Sequence, residues 1–265
     1  MKPLAGLPLE EARGLVGLLF DLDDTLLSHG VLTREAYGAL WDLHEAGLRL
    51  VAVTGRPSGW GEVVARQWPI DGAVTENGAA HVVREGKGVA VLLEGDPAVR
   101  RERRERLEAL VAVAAREVPE AALADDVHAR RSDVAWDIGE RVKLSPDRVE
   151  ALARLVVAHG ARTTRSSVHL HATFDSDDKA SGVVRFLNAR FGEDAGSALA
   201  RHAFIGDSAN DGACFAAFRS TFGVANVRPH VGSLSVPPRW VASAERGAGF
   251  AEVARALLAA RGSAK

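Results

Sequence analysis

The uncharged run GLVGLLF at 14–20 breaks abruptly into FDLDDTLL at 20–27. A continuous apolar stretch of that length, ended by a polar cluster, reads as a strand buried on both faces that runs into a loop. The next segment, TREAYGALWDLHEAG (33–47), spaces its apolar residues for a helix, with Thr33 suited to cap its start and Gly47 its end. LRLVAVT (48–54) is a second buried strand and GEVVARQW a short helix. GAVTENGA (72–79) is a third strand that closes in a turn where Asn77 and Gly78 suit positive φ. Strands and helices in the order βαβαβ imply a parallel sheet with right-handed crossovers.

The pattern then changes. AHVVREGKGVAVLLEG (80–95) reads as a hairpin, DPAVRRERRERLEALVAVAAREVP (96–119) as a long helix, and VHARRSDVAWDI (127–138) as a strand. SPDRVEALARLVVAHG (145–160), with Ser145 at its cap and Pro146 in its first turn, is another helix, and ARTTRSSVHLHATFD (161–175) supplies two more strands. After Asp175 the alternation returns through DKASGVVRFLNARFG, HAFIGD (202–207), ANDGACFAAFR, STFGVAN, RWVAS and GFAEVARALLAARG. The expectation is an α/β protein whose parallel-sheet core, residues 1–80 and 178–265, is interrupted by an α+β insert at 81–177. No internal repeat or low-complexity segment is evident.

Charge narrows the choice of partner. A formal charge of -2 and a pI near 6.5 argue against a nucleic-acid binder that relies on bulk positive charge. In the basic run RRERRERLE (100–108), Glu102 with Arg106 and Arg101 with Glu105 stand at i,i+4 on a helix, which predicts a self-paired solvated face. The single cysteine, Cys214, excludes an intramolecular disulfide and a multi-cysteine metal site, and in GACFAAF it reads as a core residue. No stretch approaches the roughly 20 apolar residues of a membrane helix, and the first residues lack an uninterrupted apolar segment. The expectation is a cytoplasmic protein that binds neither membrane nor nucleic acid.

In an open parallel sheet, ligands bind beyond the carboxyl ends of the strands. Four polar clusters fall at such places: Asp21, Asp23 and Thr25; Thr54, Gly55 and Arg56; Lys179; and GDSAND with Asp207 and Asp211. Crowded carboxylates repel, so the arrangement is costly unless a cation, a shared proton or open water relieves it. Oxygen ligands of this kind suit Mg²⁺, which takes a few carboxylates, waters and a substrate phosphate. A phosphoryl group then fits between the ion and Thr54, the N–H of Gly55, and Lys179. A carboxylate nucleophile would form an aspartyl-phosphate and a second carboxylic acid could protonate the leaving oxygen.

These clusters, in this order, resemble the haloacid dehalogenase-like (HAD) phosphatase superfamily: DLDDT matches its DxDx[TV] motif, VTGRP its threonine motif, DKASG its lysine and GDSAND its GDxxxD. TENGA and the large insert between the second and third motifs resemble the Cof-like branch, subfamily IIB, with its sucrose-phosphate, trehalose-phosphate and mannosyl-phosphoglycerate phosphatases. The resemblance spans nearly the whole chain and implies a Rossmann-like core with an inserted cap. It implies Asp21 as nucleophile and Asp23 as acid, then base. Mg²⁺ would be held by the Asp21 carboxylate, the Asp23 carbonyl and Asp207, with Asp211 assisting. Thr54, Gly55 and Lys179 would bind phosphate, and Asn210 would hold the loop or touch substrate. Two positions depart from the pattern: Asp24 stands where many members have glycine, and the lysine is followed by ASG where the Cof branch often has glycine at once. The implied function is hydrolysis of a small phosphorylated metabolite, a sugar phosphate. A phosphomutase of the same superfamily, a phospho-receiver and a non-catalytic sugar-phosphate binder are the alternatives. Arg56 is open between substrate contact and ion pair. His169 and His171 read as a polar sheet face rather than a metal site. Arg130, Arg131 and Asp133 are open between pocket lining and strand face.

Overall fold

The structure is a computed structural model that describes residues 1–166 and 168–262. In chain order the elements are β1 (Lys2–Pro3), α1 (Leu9–Gly14), β2 (Gly17–Phe20), α2 (Arg34–Glu45), β3 (Arg49–Val53), α3 (Ser58–Gln67), β4 (Gly72–Thr75), β5 (Ala80–Glu85), β6 (Gly88–Leu93) and α4 (Pro97–Glu117). They continue as β7 (Asp133–Asp137), α5 (Pro146–Ala158), β8 (Arg162–Arg165), β9 (His169–Thr173), α6 (Lys179–Phe191), α7 (Ala195–Arg201), β10 (His202–Gly206), α8 (Gly212–Ala217), β11 (Ser220–Gly223), β12 (Trp240–Val241) and α9 (Arg246–Gly262). Nine strands form one sheet in the order β1-β12-β11-β10-β2-β3-β4-β5-β6, and β7-β9-β8 form a second. The large sheet is parallel from β1 to β4 and antiparallel across β4–β5 and β5–β6.

Alternation along the central strands explains the unbroken apolar runs. Leu18 and Phe20 of β2, Leu50 and Ala52 of β3, and Ala203 and Ile205 of β10 pack on one face with Leu40 of α2 and Phe250 and Leu257 of α9. Leu19, Val51, Val53 and Phe204 point to the other face, against Val183 and Phe186 of α6 and Phe215 of α8. Both faces are dry, so the strands carry no polar alternation. Cys214 is buried in the second of these layers, as its surroundings in the sequence suggest. The small antiparallel sheet has a core of its own, with Trp136 and Leu170 beneath Leu107 and Leu110 of α4 and Leu152 and Val156 of α5.

The insert begins later than residue 81. β5 pairs with β4, and β6 with β5, so the hairpin extends the large sheet and the second layer begins with α4. Val82, fully buried against the core cluster, anchors it there. A two-stranded apolar hairpin reads the same in sequence whichever sheet it joins. The long basic helix also pairs differently from its spacing. Arg104 meets Glu108, Arg103 meets Asp175, and Arg106 lies over the Phe174 ring at 3.7 Å from its centroid. Among the described residues, no helix is long and apolar enough to cross a membrane.

Candidate active site

Asp21 is the first residue beyond β2 and Asp207 the first beyond β10. The two strands are neighbours, and Asp21 N–H donates to Ile205 O at 3.0 Å, so the two carboxylates arrive side by side. Lys179 opens α6, whose first turn is fixed by a reciprocal cap in which Asp178 accepts from Ser181 N–H and Ser181 accepts from Asp178 N–H. The helix can approach because glycines meet there: a Cβ on Gly182 would lie 2.4 Å from Gly78 Cα. Lys179 Nζ thereby donates to Asp21 Oδ1 at 2.6 Å and to Asp211 Oδ1 at 2.7 Å.

Asp211 folds back onto its own loop, its Oδ2 accepting from Asp207 N–H at 2.9 Å and Ser208 N–H at 3.1 Å. Gly206 makes room for that carboxylate, since a Cβ there would sit 2.4 Å from Oδ2. One oxygen each from Asp21, Asp207 and Asp211 lies within 4.8 Å of the others. All three carboxylates are buried against a single ammonium, also buried. Burial pushes the Asp21 carboxyl up to about 7; Lys179 opposes the shift while Asp211 and Asp23 add to it. Burial likewise raises Asp207 well above the usual range, with the charges of Asp21 and Asp211 adding to it. Burial works against the charge on Lys179, but Asp21 and Asp211 outweigh it and hold the ammonium well above its ordinary value. The centre is therefore short of positive charge, and its all-oxygen donors fit a hard divalent cation.

The family model of haloacid dehalogenase-like hydrolases matches residues 18–90, the segment that carries Asp21, Asp23, Thr54 and Gly55. Over these residues the chain is similar to the haloacid dehalogenase-like hydrolases. Solved structures similar to it include a Thermoplasma acidophilum protein at TM-score 0.68 and 15% identity, covering 92% of this chain and 99% of that one. A sucrose-phosphatase from Synechocystis, in complex with sucrose and phosphate, is similar at TM-score 0.64 and 16% identity over 92% and 98% of the two chains. A HAD/COF-like hydrolase from Plasmodium vivax is similar at TM-score 0.66 and 16% identity over 95% and 99%. At such identities the likeness establishes the fold. No curated protein matches the chain.

Within this core, Asp23 stands apart from the three clustered acids. Its carboxylate is gripped by Arg56, with Nε to Oδ2 and Nη2 to Oδ1 both at 2.9 Å. Arg56 thus resolves as an ion-pair residue, and it reaches further to Glu140 at 2.7 Å and Asp126 at 3.5 Å on the small-sheet layer. Thr54 is buried and its hydroxyl accepts from Arg56 N–H at 3.0 Å. Gly55 and Asn210 line the same cleft as Asp21 and Asp23, and Asn210 Oδ1 accepts from Ser208 Oγ at 2.7 Å. Asp24 takes the left-handed conformation its position demands, with φ 56 and ψ 14, and its side chain turns outward to Arg246 Nε at 2.9 Å.

Several functional neighbours are not evident from sequence pattern. Asn226, just past β11, donates to Asp207 Oδ2 at 3.0 Å and to Asp24 O at 2.9 Å. Its place after a parallel strand was the available signal, the same one that marks Asp207. His169 and His171 lie on a strand face as expected, but that face is buried and roofs the cleft. His169 Nε2 contacts Glu140 Oε2 at 2.8 Å, and His171 Nδ1 contacts Asp133 Oδ2 at 2.9 Å. Among the described residues, neither histidine belongs to a cluster with metal-ligand spacing. Arg130 donates to Gly55 O at 2.9 Å and is held by Asp133 at 3.1 Å, so this pair braces the loop after β3 from above. Arg131 N–H and Ser132 N–H donate to the buried Glu76 carboxylate, joining the two layers.

Proposed function

We propose that this haloacid dehalogenase-like chain is a Mg²⁺-dependent phosphatase that hydrolyses a small phosphorylated metabolite, a sugar phosphate, through a phospho-aspartate. The observation that carries the reading is Lys179 bridging Asp21 and Asp211 beside Asp207 at adjacent strand ends. That arrangement combines a nucleophile fixed in place with cation and phosphoryl sites a few ångströms apart.

In the first step Asp21 attacks phosphorus while Asp23 gives its proton to the departing oxygen. The ammonium of Lys179 and the N–H groups around Gly55 balance charge on the phosphoryl oxygens. In the second step Asp23, now a base, takes a proton from water as the water attacks the phospho-aspartate. Arg56, which here holds both oxygens of Asp23, orients the carboxylate as the base of the second step, and Asp23 frees one oxygen from that grip to carry the proton of the first. A bound Mg²⁺ at Asp21, Asp207, Asp211 and the Asp23 carbonyl would supply further neutralisation of phosphoryl charge. The α+β layer above excludes bulk water.

Phosphate release from a panel of sugar phosphates and an aryl phosphate, with Mg²⁺ and with EDTA as control, tests the proposal. Asp21→Asn and Asp23→Asn are each expected to lower turnover by roughly 10²–10⁴ while the melting transition is kept. Near-normal rates in either variant, or EDTA-insensitive release, would overturn the assignment. Isomerised ester without free phosphate would point to a mutase instead.

A further inference from the structure

Among the described residues, two buried polar atoms beside the loop after β3 have no hydrogen-bond partner: His171 Nε2 and Asn77 Oδ1. Both face the same spot, because a Cβ built on Gly55 would lie 3.3 Å from the first and 3.1 Å from the second. The residues are 2% and 8% exposed. They approach from opposite sides, His171 from β9 above and Asn77 from the turn after β4.

Their chemistry is set by their other contacts. His171 Nδ1 meets Asp133 Oδ2 at 2.9 Å, and Arg130 Nη1 holds both oxygens of that carboxylate at 3.1 Å. Burial acts against the Asp133 charge, but Arg130 and His171 outweigh it and keep the carboxyl below its ordinary range. A carboxylate only accepts, so Nδ1 carries the ring proton. Burial, with Arg130 adding, lowers the His171 pKa even though Asp133 opposes it, which leaves the ring neutral and Nε2 a lone-pair acceptor. Asn77 Nδ2 donates to Thr164 Oγ1 at 3.4 Å, which leaves Oδ1 as the amide's acceptor. Phosphoryl oxygens are acceptors too and cannot satisfy either atom. A neutral hydroxyl can.

We propose that His171 Nε2 and Asn77 Oδ1 form a subsite that accepts hydrogen bonds from hydroxyl groups of the leaving group, selecting polyhydroxylated phosphate esters over aryl or alkyl ones. The inference rests on the phosphatase reading and assigns the residues that would select its substrate class. An ester without such hydroxyls leaves two buried acceptors unpaired, the circumstance in which polar sites discriminate most strongly. As it stands the cleft encloses about 10 Å³, room for about one water. The hydroxylated group therefore enters with the upper layer lifted and meets both acceptors as it closes.

The test compares kcat/KM for a hexose phosphate and for phenyl phosphate, read as released phosphate with Mg²⁺. His171→Asn keeps an amide N–H where Nδ1–H was and removes Nε2; His171→Gln restores a polar atom near Nε2. Asn77→Gly removes the amide and tolerates the residue's φ of 53. The hexose-to-phenyl ratio is expected to fall about tenfold in His171→Asn and in Asn77→Gly and to recover in His171→Gln. A ratio within twofold of wild type in both truncating variants, while wild type still hydrolyses phenyl phosphate, overturns the subsite alone and means that only water fills it. A wild-type protein that releases phosphate from no ester overturns the hydrolase reading and the subsite with it.

Discussion

Asn226 shows what a single side chain contributes beyond the acids it touches. Its amide N–H₂ spans Asp207 Oδ2 and the carbonyl of Asp24, while its Oδ1 accepts from Arg246 N–H at 2.9 Å. Thr25 donates to the other Asp207 oxygen at 3.2 Å, so that carboxylate is held from both ends. Partners of this kind orient a ligand and typically govern tenfold or more in metal affinity. Asn226→Ala is therefore expected to raise the Mg²⁺ concentration for half-maximal phosphate release about tenfold with little change in thermal midpoint; an unmoved Mg²⁺ requirement would refute the orienting role. Asp21, Asp207 and Gly55 are legible in the sequence because each stands at or just past the end of an apolar run, while Asp211 follows four residues after Asp207 and Lys179 stands where the core pattern resumes. The conformation of Asp24 is half-legible: the sequence poses the question of a left-handed residue, and only tertiary contact supplies Arg246 as the answer. Glu140 and Asp126 carry no local signal at all, and Glu76 only its place in TENGA. Each acts across the boundary between layers, and an exposed-looking acid in a loop reads the same whether or not an arginine or an N–H waits opposite.

At the scale of elements, the site depends on how closely α6 can lie against the turn after β4. Glu76 and Asn77 both have positive φ, at 51 and 53, and Gly78 follows at 111. That turn brings Gly78 under the first coil of α6, where a Cβ on Gly78 would lie 2.1 Å from Asp178 O. Glycine at 182 completes the fit, which gives the ASG after the lysine a steric reason. Gly182→Ala must displace backbone rather than a side chain, so overpacking is expected to cost about 3 kcal/mol in urea unfolding. Because Lys179 stands three residues away on the same turn, phosphate release should fall with it, and more than the loss of folded protein explains. A Gly182→Ala protein with wild-type midpoint and rate would refute the contact. The strands and helices themselves follow from periodicity. The hairpin β5–β6 does not, since its apolar run is satisfied equally by either sheet and only the pairing of Thr75 with Ala80 decides the matter.

The whole molecule encloses a charge imbalance between its two layers. Arg56, Arg130 and the N–H groups of residues 131 and 132 tie the upper layer to the core through Glu140, Gly55 and Glu76, and thereby seal three carboxylates and one ammonium from water. The Asp21 carboxyl is raised from 3.8 to about 7, so between those pH values the folded protein binds a proton that the unfolded chain does not. With more protons bound in the folded state, stability falls as pH rises through this window, and the full penalty is present above it. An amide at position 21 mimics the protonated acid and escapes the penalty. In EDTA, wild type and Asp21→Asn should therefore melt at similar temperatures near pH 4.5 and diverge by pH 7.5, with the variant the more stable. Subtracting the two curves cancels the titrating groups remote from position 21 and leaves Asp21 with the two groups its charge shifts, Asp207 and Lys179. Saturating Mg²⁺ should close the gap at pH 7.5 by stabilising wild type, since an ion that binds only the folded state adds RT ln(1 + [L]/Kd). Melting curves that stay parallel from pH 4.5 to 7.5, or a Mg²⁺ shift equal in both proteins, would mean that the acids at β2 and β10 are not coupled as their burial requires.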